Sequence, residues 1–213
     1  MAAIMRDRKL KIISGVISIL LFVTLIGKLA FVPGGLILSG LYLGGMLIVA
    51  ISIACLLATS ILKLFVRKYS FSTLYFISIS FAFIAFHYKL YSPTLKIIVP
   101  DGYTGEVSLI LSNVDHNVLT VDSNGVGYVT KWTFEKTWSQ PDVFTTNGKS
   151  INNQCVGFNP STFWALSKFC CVDKKVIRSL SFDIVPEDKV GQDIHYSRGL
   201  GGLVDTKMLY GDE

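Results

Sequence analysis

The side chains with the most obvious chemistry are three cysteines in the second half of the chain. Pairing of Cys155 with Cys170 or Cys171 would close a loop of about 15 residues. In an extracytoplasmic domain, where disulfides persist, this spacing favours a structural disulfide with one thiol left over. Free buried thiols and a functional thiol are the alternatives. A metal site is not expected, because the sequence has no CxxC pair and no histidine beside these cysteines.

Histidine stands near an acidic residue in two places, Asp115-His116 and Asp193-Ile194-His195. A hydrolase also needs a positioned nucleophile, and no nucleophile-elbow serine motif accompanies either pair. The run from Asp122 to Gly125 resembles the start of a calcium loop, but the twelfth position is Thr133 rather than glutamate, which favours a plain turn. The sequence therefore predicts no catalytic residue, no metal site and no cofactor, and the chain is not expected to be an enzyme.

The elements that must position these residues begin with a strongly apolar half. Hydrophobic residues make up 51% of the 213-residue chain, charged residues only 16%, and the mean hydropathy is +0.51. The excess lies in residues 1–92, in three apolar runs at about 12–32, 36–62 and 71–91. A run of about 21 helical residues reaches about 31 Å, the thickness of a hydrocarbon core. The sequence predicts three transmembrane helices.

The distribution of charge predicts how these helices cross the membrane. Residues 1–92 carry nine Lys and Arg against Asp7 alone, whereas residues 93–213 carry eleven against fourteen Asp and Glu. The cations cluster before the first span and between the second and third, so the positive-inside rule places the N-terminus in the cytoplasm and everything after the third span outside. The positive net charge is thus accounted for by membrane flanks, and no nucleic-acid partner is expected.

Two features of the spans carry alternatives. Gly40 and Gly44 form a small-xxx-small pair, which lets another helix approach closely. That helix belongs either to a partner protein or, as the commoner case, to the same three-helix unit. Lys28 is the only charge in the first span, and a lysine near a helix end is expected to snorkel to the headgroups rather than to take part in transport.

The second half has the pattern of a mainly β domain, at residues 93–185, followed by a tail at residues 186–213. Short β-branched or alternating runs separated by turn residues predict a small sandwich or barrel. The runs are 95–99, 106–111, 118–121, 126–134 and 176–185. Residues 160–172 have apolar positions that suggest a short helix, and the glycine-rich tail is expected to be flexible or ordered by a partner.

One turn carries a resemblance. The run Val99-Pro100-Asp101-Gly102-Tyr103-Thr104-Gly105-Glu106-Val107 is similar to the I/V-P-x-G-Y-x-G-x-V opening of a family of uncharacterised bacterial exported β-domains, over roughly residues 97–134. The resemblance implies a β-rich, exported, membrane-anchored domain and assigns no activity. Physically, Gly102 and Gly105 relieve the turn that begins at Pro100, and the Tyr103 ring can pack beneath it.

Together these patterns favour a non-enzymatic accessory or scaffold subunit of the bacterial inner membrane. Its partners would be the lipid bilayer and either other proteins of an envelope assembly or further copies of itself. Two rival hypotheses stay open: an immunity or defence protein, and a component of a membrane enzyme or transporter.

Overall fold

The computed structural model describes residues 2–30, 40–159, 162–172, 175–192 and 194–209, apart from the side chains of 2–4 and 170–172. The chain forms two compact units, residues 1–91 and 92–213. The boundary agrees with the change in composition near residue 92.

Unit 1 consists of three long apolar helices, each long and apolar enough to cross a membrane. They are α1 (Ala2–Leu29), α2 (Gly40–Phe65) and α3 (Phe71–Lys89). The predicted spans overlap these helices, but α1 begins at Ala2 rather than near residue 12. Residues 31–39, which include the predicted end of the first span and the predicted start of the second, lie outside the described residues. The helices share a small core in which α3 packs against both others, and it includes Leu25, Leu29, Ile48, Cys55, Ile79 and Phe83.

Polar contacts tie α1 to α3 at both ends of unit 1. At one end Asp7 Oδ1 accepts a hydrogen bond from the backbone N–H of Ser70, the N-cap of α3, at 3.2 Å. At the other end His87 Nε2 lies 3.1 Å from both Thr24 Oγ1 and the Leu21 carbonyl oxygen of α1. His87 is therefore a packing residue between two helices, and the only acidic residue of this unit serves a helix N-terminus.

The C-terminal domain (residues 92–213) is a mixed sheet domain, so the prediction of a mainly β fold is confirmed at that level. Its strands are β1 (Lys96–Val99), β2 (Gly105–Leu111), β3 (Val126–Val129), β4 (Asp142–Thr145), β5 (Cys155–Val156), β6 (Ala165–Val172) and β7 (Lys175–Ile184). β1 pairs in parallel with β4, and the larger sheet has the order β3-β2-β7-β5, with β6 also pairing with β7. The β2–β3 pair is parallel, whereas β7 runs antiparallel to all its neighbours.

One core joins the two sheets. Buried side chains of β1 and β4 pack with those of β2 and β7 and with the aromatic pair Phe163 and Trp164. Trp164 Nε1 donates to the Ser139 carbonyl oxygen at 2.8 Å, so the indole polar atom is satisfied inside the core.

Two sequence predictions about elements are wrong. The strand expected at 126–134 stops at Val129, because Thr130 caps a short helix, α4 (Lys131–Lys136), through a bond from the Thr133 N–H. The helix expected within 160–172 is instead strand β6, since its backbone pairs with β7 along nearly its whole length.

The tail is also packed rather than flexible over its described residues. Leu200, Val204 and Leu209 are buried against Ile110 and Ile177 on the face of the larger sheet that points away from the common core. Lys175 Nζ donates to the carbonyl oxygens of two tail residues, Thr206 and Leu209. The tail thereby covers a sheet face that would otherwise expose apolar side chains.

Candidate functional site

The motif turn has the geometry that the sequence suggested. Gly102 and Gly105 have φ values of +70° and +129°, which favour glycine. The Tyr103 hydroxyl donates to the Glu106 carbonyl oxygen at 2.6 Å. Gly125 makes room for this ring, because a Cβ there would lie 2.0 Å from the Tyr103 oxygen. Pro100, Gly102, Tyr103 and Gly105 thus build a turn around one aromatic ring, which is a structural role.

Burial raises the pKa of the Tyr103 hydroxyl, and the nearby Arg198 guanidinium acts in the opposite direction. The net shift is upward, so the phenol stays protonated at neutral pH and keeps its donor role. This hydroxyl is therefore not poised as a general base.

A polar cleft of about 350 Å³ opens beside this turn. It lies where the parallel strands β1 and β4 both end, and the loops after them line it. Asp101 accepts a hydrogen bond from the Asn147 N–H, and Lys149 lies 3.8 Å from Glu187 across the exposed rim. Its charged groups thus bond to one another or to the loops, and among the described residues no group of three or more His, Cys, Asp or Glu could hold a metal ion.

The histidine that the sequence placed beside Asp193 pairs with a different acid. His195 Nδ1 lies 3.0 Å from Oδ2 of Asp183, which is buried on β7, while Asp193 lies outside the described residues. Three residues on, the Arg198 guanidinium donates to the Glu106 carbonyl oxygen at 3.1 Å. Both contacts join the tail to neighbouring strands of the sheet, so they account for the packed tail. The other pair, Asp115-His116, is not brought to this cluster.

The turn prediction for Asp122 to Gly125 is confirmed. Asp122 Oδ1 accepts hydrogen bonds from the backbone N–H groups of Asn124 and Val126, and Gly125 has a φ of +69°. The carboxylate is thereby used by its own loop, as in an Asx turn.

The predicted disulfide of Cys155 is not formed. Cys155 has a free thiol. In the sheet, the backbone of Cys155 lies opposite Ile184, whereas that of Cys170 lies opposite Val176, eight residues away along β7. Eight residues of strand span about 26 Å, and a disulfide needs Cα atoms within about 7 Å. Cys171 follows Cys170 directly, so the same separation applies to it. Burial raises the pKa of the Cys155 thiol to about 12, which makes it a protected thiol rather than a nucleophile.

The glycine pair in unit 1 packs internally at Gly44. A Cβ on Gly44 would lie 2.3 Å from a methyl carbon of Leu29 in α1, so this glycine allows α1 and α2 to touch. Gly40 begins α2 and is only half-buried. Gly45, beside Gly44, has no atom near its missing Cβ and faces away from the unit.

The feature that sequence reasoning missed is the outer side of β6, which we call the open edge. The outer sides of three other strands are partly covered: Val118 bridges to β3, Thr120 to β1 and Ser150 to β4. The edge strand β5 is only two residues long. For β6, no strand or bridge among the described residues pairs with the side that faces away from β7. At eight residues it is a long edge strand, and natural proteins usually shorten or cover such strands.

Hydrogen bonds in the central strands show which backbone groups reach the open edge. On β2, the backbone N–H of Ser108 donates to the Gly125 carbonyl oxygen, so the backbone groups of Ser108 face β3. Backbone groups of consecutive strand residues point to opposite sides, so those of Leu109 face β7. Leu109 pairs with Leu180, so the even-numbered residues of β7 face β2. The odd-numbered residues of β7 therefore face β5 and β6, in agreement with the bond from Val185 N to Gln154 O.

The same alternation carries over to β6. Ser167 pairs with Ser179 and so exchanges backbone hydrogen bonds with β7. Leu166 and Lys168 lie opposite even-numbered residues of β7, whose backbone groups face β2. The backbone N–H and C=O groups of Leu166 and Lys168 therefore point away from β7, towards the open edge. The side chains of Leu166 and Phe169 are 69% and 44% exposed. The open edge thus combines free backbone donors and acceptors with exposed apolar side chains.

A hairpin signal in the sequence could have revealed this strand. Asp173-Lys174 separates two runs of strand length, of which the second, at β7, alternates clearly.

Comparison of the chain with protein-family models, with curated proteins and with solved structures finds no match. The proposed function therefore rests on the residues alone.

Proposed function

We propose that this chain is a non-enzymatic accessory subunit of the bacterial cytoplasmic membrane whose C-terminal domain binds a partner protein outside the cytoplasm. The single observation that carries the proposal is the open edge of β6. A partner segment in extended conformation would add to this edge as a further strand, with main-chain hydrogen bonds giving affinity and side-chain contacts giving selectivity.

The arrangement of cations in unit 1 supports the orientation. Arg6 lies 3.4 Å from the Tyr69 hydroxyl, and Lys63 donates to the carbonyl oxygens of Arg67 and Tyr69. The basic N-terminal segment and the basic turn between α2 and α3 therefore lie at the same end of the helix unit. Both would face the cytoplasm under the positive-inside rule.

The test compares two changes at one position. Leu166→Pro removes an outward N–H but no donor of the β6–β7 ladder, whereas Leu166→Ala trims the side chain and keeps the N–H. After extraction in mild detergent, wild type should carry a stoichiometric partner. For Leu166→Pro, the amount of partner that co-purifies should fall by at least about tenfold. Leu166→Ala should retain more of the partner than Leu166→Pro does.

Ser167→Pro is the control for damage to the fold, because it removes a donor of the β6–β7 ladder and should lower the unfolding temperature. Leu166→Pro should unfold within a few degrees of wild type. A Leu166→Pro protein that folds and still retains its partner would contradict docking at the open edge.

A further inference from the structure

We infer that the open edge selects an acidic strand, and that the partner segment has the pattern apolar-acidic-any-apolar in antiparallel pairing with β6. This inference rests on the proposed function, since it names the chemistry of the segment that would add to β6. Two observations carry it: the uncompensated cations of the β6–β7 hairpin, and the positions of the exposed apolar side chains beside them.

The cations lie opposite each other without an acidic partner. Lys168 on β6 pairs directly with Arg178 on β7, an arrangement of like charges that is unfavourable in a sheet. The Arg178 guanidinium lies over the Phe134 ring, 5.1 Å from its centroid. No carboxylate lies within ion-pair distance of Lys168 or Arg178 among the described residues. In the sequence, the two residues between β6 and β7 carry one charge of each sign, so they leave the net charge of the segment unchanged.

A carboxylate on an added strand would relieve this repulsion. The residue that pairs with Lys168 on the outer side would lie one strand spacing away, about 4.8 Å, and Arg178 two spacings away. An aspartate or glutamate there gains attraction from both cations, whereas a lysine adds a third positive charge to the row.

The apolar positions of the segment follow from the register. Leu166 and Lys168 lie on one face of β6, and Phe169 lies on the other. In antiparallel pairing the partner residues opposite Phe169, Lys168 and Leu166 appear in that order. The residue opposite Phe169 should be apolar and the next, opposite Lys168, should be acidic. One residue of any type then precedes an apolar residue opposite Leu166. Both apolar contacts would be favourable, because they bury the exposed apolar surface of Leu166 and Phe169.

The same charge argues against a second copy of this chain. Antiparallel pairing of two β6 edges, centred on this segment, would bring both Lys168 side chains close together beside two Arg178 side chains. Such a row of four cations is repelled, as when an edge lysine protects a sheet from self-association. The open edge is therefore suited to a partner of opposite charge rather than to itself.

The experiment measures peptide binding to the full chain in detergent micelles by fluorescence anisotropy. The probes are eight-residue peptides that differ at one position, with the central sequence Val-Glu-Thr-Val, Val-Gln-Thr-Val or Val-Lys-Thr-Val. The glutamate peptide should bind about two- to fivefold more tightly than the glutamine peptide, the size of one cross-strand charge pair. The lysine peptide should bind most weakly, and added salt should reduce these differences.

Two variants separate the inference from the proposed function. Lys168→Glu should reverse the order of the peptides, and Leu166→Pro should abolish binding of all three. Loss of binding in Leu166→Pro with no change of order in Lys168→Glu would overturn the acidic preference while strand addition stands. Unaltered binding in Leu166→Pro would overturn strand addition itself.

Two further outcomes would overturn the choice of occupant. Displacement of the glutamate peptide by micelles doped with phosphatidylglycerol would assign Lys168 and Arg178 to lipid headgroups. A doubling of the particle mass in light scattering that Leu166→Pro abolishes would assign the open edge to a second copy of the chain.

Discussion

At the residue scale, several of the chain's chemically suggestive groups are used by the fold itself. Asp122 bonds to its own loop, Asp183 holds His195, and the Tyr103 hydroxyl bonds to a main-chain oxygen. These contacts stabilise turns and the packed tail.

Gly125 tests the packing around Tyr103. Gly125→Ala combines a φ of +69° with a Cβ 2.0 Å from the Tyr103 oxygen and 2.7 Å from the Glu106 carbonyl oxygen. We expect a loss of more than about 2 kcal/mol of unfolding free energy. Gly148→Ala is the matched control, because its φ is +85° but no atom lies within 4 Å of the new carbon. Gly148→Ala should lower the free energy of unfolding by only about 1 kcal/mol. Equal costs in denaturant unfolding would contradict the packing described for Tyr103.

Cys155 tests the absence of a disulfide. Mass spectrometry after alkylation without reductant should find Cys155 unmodified in the native protein and fully modified after unfolding. Its pKa of about 12, against an ordinary value of 9.0, means that burial stabilises the protonated thiol. That contribution is complete below pH 9 and is lost as the pH rises from about 9 towards 12. A Cys155 disulfide with Cys170 or Cys171 would refute the strand register.

At the element scale, the sequence predicted features with strong local signals and missed those set by pairing between strands. The three apolar helices, the Asp122 turn and β7 are encoded in consecutive residues. β6 has only weak alternation, and the apolar residues at 163 and 164 just before it and at 166 and 169 within it mimic helical spacing. The pairing with β7 therefore decides its form. The missing Cys155 disulfide has the same origin, because chain spacing does not reveal that the two cysteines pair with opposite ends of β7.

Helix packing in unit 1 is tested by two adjacent glycines. Gly44→Val would overlap Leu29, whereas Gly45→Val points into open space. We expect the first to destabilise the helix unit by about 1–3 kcal/mol, as overpacking does, and the second to be nearly neutral. Thermal unfolding in the same detergent measures both. A stronger effect at Gly45 would move the packing face of α2 to the side of Gly45 and indicate a partner helix there.

At the scale of the whole molecule, unit 1 has the length and composition of a membrane anchor, and the C-terminal domain presents the open edge. Unit 1 is apolar on its outer surface, which suits lipid. The C-terminal domain covers its second sheet face with its own tail, and no strand among the described residues pairs with the outer side of β6. A subunit that recruits another protein to a membrane needs these two properties.

The orientation is tested by cysteine labelling of intact bacterial cells. Lys68→Cys lies in the basic turn of unit 1 and Lys149→Cys in the C-terminal domain, each in a background without the native cysteines. A membrane-impermeant maleimide should label position 149 in intact cells and position 68 only after permeabilisation. Labelling in the reverse order would place the C-terminal domain in the cytoplasm.

Site-specific photocrosslinking in native membranes tests the central claim most directly. A photoreactive phenylalanine analogue replaces Leu166 on the open edge or, as a control, Val190, which is also exposed but is not part of β6. The account predicts one discrete adduct from position 166, containing an acidic strand segment of another protein, and no such adduct from position 190. No adduct from position 166, or the same adduct from both positions, would contradict it.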